Sequence, residues 1–212
     1  MHENQVNNTE HWENVYRTKA VNQVSWFQEH AERSLNIIRQ TGLKPEEARI
    51  IDVGGGASVL VDDLLDAGHR HVTVLDISVS ALAVSRARLD RRAEQVNWLA
   101  GDIRNIELPS AAYDIWHDRA VFHFLTHEQD RKRYVEQVSR AVRPGGYVIM
   151  ATFGPNGPLR CSDLDVRRYT PQTLHGEFGA GYELISHTTE LHATPTSKTQ
   201  EFVYCFCRRS SS

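Results

Sequence analysis

Four acids and three glycines stand where a nucleoside-like ligand could be gripped. Asp52-Val-Gly54-Gly55-Gly56 closes a short apolar run, Asp76 closes the next one, and Asp102 and Asp118 lie at the ends of two more. Glycine tolerates positive φ and carries no Cβ, so the chain can turn tightly at 54–56 while backbone N–H groups face a ligand. A carboxylate about 20 residues beyond such a turn is placed to accept both hydroxyls of a ribose, which makes Asp76, with its neighbour Ile77, the candidate ribose ligand. Asp102 followed by Ile103 offers an acceptor for an exocyclic amine beside an apolar surface for a flat ring. Asp52 would raise the energy of a neighbouring pyrophosphate, so it suits a cationic ligand better. Val59 also stands where a dinucleotide fingerprint would put its third glycine.

These residues need strand ends to hold them, and the pattern supplies strands. Apolar runs of strand length at 49–53, 71–75, 96–100, 113–117 and 147–153 alternate with helical patterns at 58–67, 78–92 and 129–142. That alternation predicts a doubly wound α/β sheet, parallel in its core and covered by helices on both faces. Pro144-Gly145-Gly146 reads as the break between the last of these helices and the fifth strand. Residues 10–40 are helical in pattern and carry Trp12, Tyr16, Trp26 and Phe27, while 154–168 reads as a loop. Two β-rich runs, 182–187 and 201–207, predict an antiparallel pair at one edge. The division expected is a helical lid at 1–45 and a core at 46–212, with a loop and helix at 154–181 and the edge strands at 182–207.

Composition removes several classes. With 24 basic against 27 acidic residues the formal net charge is −3, so no chain-wide field favours nucleic acid, and Arg86, Arg88, Arg91 and Arg92 read as a solvated helix face. No stretch reaches the roughly 18 apolar residues of a membrane span and no signal core stands at the start, so a cytoplasmic protein is expected. Cys161, Cys205 and Cys207 are too few for a disulfide framework, and no second cysteine pair stands at zinc-ligand spacing, so no metal site is expected. The oligomeric state is not readable.

Taken in order, Asp52-Val-Gly-Gly-Gly56, Asp76, Gly101-Asp102 and Arg143-Pro-Gly-Gly146 resemble the class I S-adenosylmethionine-dependent methyltransferases. The resemblance implies a Rossmann-like sheet of seven strands whose last strand is antiparallel, with S-adenosylmethionine as donor and S-adenosylhomocysteine as product. It also implies that Gly54, Gly55 and Gly56 approach the methionyl part, Asp76 the ribose, and Asp102 with Ile103 the adenine. Asp118 would stand beside the methyl group, and Asp52 would attract the ammonium. Asp118-Arg119-Ala-Val and the aromatic segment His11-Trp12-Glu13, Tyr16, Val24-Ser-Trp-Phe27 resemble the thiopurine-type thiol methyltransferases and the lysine-methyltransferase-like group. In those, Trp12, Tyr16 and Trp26 would close over the cofactor.

The acceptor is read mainly from absences. An Asn/Asp-Pro-Pro-aromatic signature is missing after the fourth strand, and no cysteine sits where base C5 methylation needs one. A small-molecule acceptor is expected, with a thiol favoured over amine or hydroxyl; a protein lysine is the alternative. A pocket without turnover and an NAD-dependent oxidoreductase are the remaining rivals. His117, Asp118 and His123 are the candidate catalytic residues, and Phe27, Phe122, Arg160, Arg168 and Tyr169 the candidate acceptor contacts.

Overall fold

The computed structural model describes residues 8–18 and 23–211. Two helices precede the sheet, α1 (Asn8–Thr18) and α2 (Glu32–Gln40), joined in part by irregular chain. The stretch read as continuously helical is therefore broken, and Trp26 and Phe27 lie in the irregular part. Then follow β1 (Arg49–Val53), α3 (Leu60–Asp66), β2 (His71–Asp76), α4 (Val79–Leu89), β3 (Val96–Ala100), β4 (Tyr113–Arg119), α5 (Glu128–Ala141) and β5 (Val142–Phe153). A two-residue hairpin, β6 (Arg160–Cys161) with β7 (Leu164–Asp165), interrupts the segment read as loop. The chain ends in α6 (Pro171–Phe178), β8 (Tyr182–Ala193) and β9 (Thr199–Arg209).

The main sheet has seven strands in the order β3-β2-β1-β4-β5-β9-β8. β1 to β5 pair in parallel, whereas β9 runs antiparallel between β5 and β8. The seven-stranded expectation with an antiparallel final strand thus describes the fold. Strand alternation sends Ile50, Val72, Ile115 and Phe206 to the face covered by α2 and α3, and Ile51, Trp116, Val148 and Cys205 to the face covered by α5 and α6. Burial on both faces is what a parallel core strand requires, and it explains why these runs read as continuously apolar. Cys205 and Cys207 share one buried face as expected, and burial pushes both thiols up to about 12. Among the described residues no helix is long and apolar enough to cross a membrane.

The fifth strand begins earlier than its apolar run. Pairing jumps from Tyr113–Val142 to Ile115–Tyr147, so Arg143-Pro-Gly-Gly146 is a bulge within β5 rather than a break before it. Gly145 takes φ +72° there, and Pro144 has no N–H to lose from the ladder. Arg143 and Arg49 both clasp Asp114 at the foot of β4, Arg49 through Nε at 3.0 Å. Burial alone would raise the Asp114 carboxyl, but the two guanidinium groups hold it at about 2.

Strand order reverses between β1 and β4, so the crevice of this sheet opens where these two strands end. The glycine turn leaves β1 at this point.

Candidate active site

Each glycine of the turn is fixed by what a side chain would strike. Gly54 adopts φ +73°, and a Cβ there would lie 2.0 Å from Val121 Cγ2. At Gly55 it would meet Asp52 Oδ2 at 2.2 Å, and at Gly56 Asp76 Oδ2 at 2.5 Å. The bare turn therefore closes down on two buried carboxylates. Asp76 accepts from Gly56 N at 3.0 Å and Ser78 N at 2.8 Å, so the end of β2 is tied to the turn leaving β1. Gly56 consequently lies behind the turn, while Gly54 and Gly55 line the cleft. Burial pushes the Asp76 carboxyl up to about 6, against the pull of those two N–H groups.

The cleft has two arms that share Gly54, Tyr16, Trp26 and Arg119. The first, about 810 Å³ to its open mouth, runs past Asp76, Ile77, Asp102 and Ile103 toward Ala120, Phe124 and Cys161. A mostly apolar trough of this size suits a nucleoside. Asp102 is not a bare acceptor: Arg104 donates through Nε to both its oxygens at 3.0 Å and also reaches Asp130 at 3.2 Å. Burial alone would raise Asp102, but Arg104 outweighs it and holds the carboxyl below its ordinary value.

The second arm holds Asp52, His117, Phe27 and Gly55. His117 Nδ1 lies 2.7 Å from Asp52 Oδ1, and its Nε2 lies 2.8 Å from Ser34 Oγ on α2. A carboxylate oxygen accepts, so Nδ1 carries a proton toward Asp52 while Nε2 is engaged with the Ser34 hydroxyl. Both ring nitrogens are thus engaged, which leaves His117 holding Asp52 rather than offering a lone pair to an acceptor. The other oxygen, Asp52 Oδ2, is buried and has no partner among the described residues.

Trp12 and Tyr16 on α1 form one aromatic wall with Trp26 and Phe124. Trp12 lies 5.7 Å from Trp26 and 5.1 Å from Phe124, both edge-on, and Tyr16 lies 6.4 Å from Trp26. Glu13, one residue on, accepts from Ser80 N at 3.2 Å and from the Ser80 hydroxyl. These bonds keep its carboxyl below the ordinary value and fasten α1 to the N-terminal turn of α4.

Several expected residues stand elsewhere. Asp118 is fully buried on the opposite side of β4, where it accepts from Tyr134 Oη at 2.5 Å and Val121 N at 2.9 Å. It braces the turn after β4 and does not line the cleft. Burial pushes its carboxyl up to about 6. His123 is likewise buried, its Nδ1 accepting from Phe153 N at 3.2 Å, and burial drives its pKa down to about 3. A neutral, enclosed ring of that basicity is no proton acceptor at neutral pH. Phe122 and Tyr169 pack on each other in the core, 5.7 Å apart. Arg160 bonds to its own hairpin, donating to Asp163 O at 2.6 Å, and Arg168 donates to Pro155 O at 2.7 Å. Neither arginine reaches the cleft. Arg119, Arg104, Phe124 and Cys161 line it instead. Arg119 stood one residue from an expected site; strand alternation pairs it with His117 against Asp118 but does not say which of the two faces meets the cleft.

Residues 50–146 match a family model described as a methyltransferase domain. The chain is 24% identical over 189 residues to human EEF1A lysine methyltransferase 2, covering 83% of this chain and 74% of that one. Its fold matches a solved structure described under the conversion of a disulfide bond into a thioacetal group during echinomycin biosynthesis, with a TM-score of 0.78 at 18% identity over 97% and 93% of the two chains. It also matches the 1,6-didemethyltoxoflavin-N1-methyltransferase of Burkholderia thailandensis, solved with S-adenosylhomocysteine, with a TM-score of 0.70 at 19% identity over 97% and 85%. With a methyltransferase domain across residues 50–146 and a Rossmann-like fold shared with these enzymes, the chain is an S-adenosylmethionine-dependent methyltransferase.

Proposed function

We propose that this enzyme methylates the sulfur of a small-molecule thiol. The observation that carries the reading is the wall at the β4 and β5 end of the cleft. Among the described residues it consists of Trp12, Tyr16, Trp26, Arg119, Ala120, Val121, Phe124, Leu125 and Cys161, and it contains no carboxylate or imidazole. The donor supplies a methyl group already activated on a sulfonium, so what the protein adds is alignment and exclusion of water. An alcohol acceptor would need a base that this wall does not offer, and an ammonium would have to shed its proton first. A thiol with an ordinary pKa of about 8.5 ionises to solvent by itself, and the Arg119 guanidinium at the cleft favours the thiolate.

The turn and its acids fit the donor. Gly54 and Gly55 leave backbone open to it, Asp76 keeps lone pairs for the ribose hydroxyls beyond the two N–H groups it already serves, and Ile77 and Ile103 flank the adenine. The described residues of the N-terminal segment, 8–18 and 23–45, act as a lid over the core, with Glu13 fastening α1 to α4. The test is methyl-labelled donor offered with a panel of small thiols, amines and hydroxyls. Transfer to thiols supports the reading, and transfer confined to amines or hydroxyls sinks it.

Protein-lysine methylation is the second reading, favoured by the relative of that activity. The aromatic wall also suits it, because ring faces attract an alkylammonium. Label entering polypeptides of a treated proteome and no small thiol would establish it over the first.

A further inference from the structure

A group of unspent basic side chains gathers at the end of the sheet opposite the cleft. Strand alternation carries the face of Ile51 and Leu75 down to Arg49, His71 and Thr73, and the β2–β3 register sets Asn97 beside Thr73. Arg49 stands directly opposite His71, and Arg70 precedes it, so two guanidinium groups and an imidazole meet where β1 and β2 begin. They rim a recess of about 560 Å³ to its open mouth, lined also by Gln95, Asn97, Ala112 and Tyr113. Among the described residues no carboxylate lines it. Arg49 spends its backbone N–H, Nε and Nη2 on Asp114, which Arg143 also claims, and keeps Nη1. The side chains of Arg70, His71 and Gln95 have no hydrogen-bond or ion-pair partner among the described residues. Arg88, Arg92 and Arg104, by contrast, each find an aspartate of their own. Like charges set opposite each other across a ladder are destabilising, and an anion seated between them removes the conflict.

We infer that this recess is a second ligand site, for a small molecule bearing a phosphate group. Arg49 Nη1, the Arg70 guanidinium and the His71 ring receive the phosphate oxygens, because guanidinium forks match phosphate geometry and charge-assisted bonds of this kind are the strong ones. A bare phosphate fills only part of the space. The organic remainder lies against Ala112 and the Tyr113 ring, with the Gln95 and Asn97 amides turned to its polar atoms. The site sits at the opposite ends of the two strands that finish near Asp52 and Asp76, and none of its residues lines the cleft. It therefore stands apart from the identity of the methyl acceptor.

The probe is phenyl phosphate, titrated at constant ionic strength into protein saturated with S-adenosylhomocysteine, so that the cleft is filled, and followed by backbone amide NMR. Shifts should saturate and stay confined to residues 70–73, 95–97 and 112–113. Inorganic phosphate should move the same amides but bind more weakly, since it lacks the ring that Tyr113 receives. Arg70→Gln combined with His71→Asn should weaken phenyl phosphate roughly ten- to a hundredfold, while S-adenosylhomocysteine affinity and methyl transfer stay within about twofold. Shifts that never saturate, or that spread over the arginines of α4, would overturn the site without any variant having to fold. Equal binding of the two phosphates would overturn it too, since the recess would then trap an ion and nothing larger. So would undiminished binding in the folded double variant.

Discussion

Asp76 makes the proposed ribose contact measurable as a proton. Its carboxyl is pushed up to about 6 from an ordinary 3.8, because burial outweighs the Gly56 and Ser78 N–H groups, with Asp52 and Glu13 adding repulsion. Hydroxyls donating to the carboxylate favour its ionised form, so binding returns the pKa toward the ordinary value. The free protein then holds a proton that the complex releases. S-adenosylhomocysteine should bind roughly tenfold more weakly at about pH 5 than at about pH 7, with about half a proton released near pH 6. Stability moves the opposite way. A carboxyl raised in the fold is destabilising once ionised, so this group removes up to about 3 kcal/mol as pH climbs from about 4 past 6. Calorimetry in buffers of different ionisation enthalpy reads the released proton directly. Methylthioadenosine should show the same pH slope, which separates the ribose from contacts to the amino-acid end of the ligand. Asp76→Asn should abolish it. A flat affinity with no proton release in the wild type, or a slope surviving in Asp76→Asn, would refute the ribose assignment.

Other perturbations test other parts. Ala120 holds φ +76°, a left-handed conformation costing an alanine about 1–2 kcal/mol, so Ala120→Gly should raise the melting temperature by roughly 2 °C once the flexibility of glycine is discounted. Tyr134→Phe strands Trp116 Nε1 and removes the hydroxyl from Asp118, and should cost about 1–3 kcal/mol in denaturant melts while leaving S-adenosylhomocysteine affinity within about twofold. Trp12→Ala opens the wall and should weaken the same ligand roughly tenfold, read by titration. His30 is raised by its hydrogen bond to Asp63, so its stabilising effect is present below the unfolded pKa and lost as pH rises through the folded one. The melting-temperature gap between wild type and His30→Gln should accordingly shrink from about pH 6 to about pH 9.

The sheet was legible because parallel strands buried on both faces leave long apolar runs, and because glycine has few reasons to stand in threes. The candidate donor side was legible for the same local reason: Asp52, the turn and Asp76 each sit at the end of a run whose length is visible. Residues at the end of β4 were not, and the cause is parity. His117 and Arg119 point toward α2 and the cleft, while Asp118 between them points toward α5 and meets Tyr134. Choosing among three adjacent polar residues requires knowing which helix covers which face, and that is set by chain folding far away. The tight turn at Phe122–Phe124 repeats the problem, since Phe122 enters the core and Phe124 faces the cleft.

The same parity explains how the acceptor end acquires its chemistry. Every proton-accepting group that the sequence offers near β4 is diverted: His117 to Asp52, Asp118 to the turn, His123 to the backbone of Phe153. Among the described residues, what remains at that end of the cleft is the Arg119 guanidinium, the Cys161 thiol, three apolar side chains and a set of rings. On the proposed reading, such a site does not drive transfer by removing a proton. It can only hold an already competent nucleophile and a cationic donor close together in a dry space, so its rate should follow the ionisation of the acceptor itself. Among thiols of graded acidity, the pH at which methylation reaches half its plateau should track each thiol's own pKa. A single midpoint shared by all acceptors would mean that a protein base does the work and that the wall is incomplete as described.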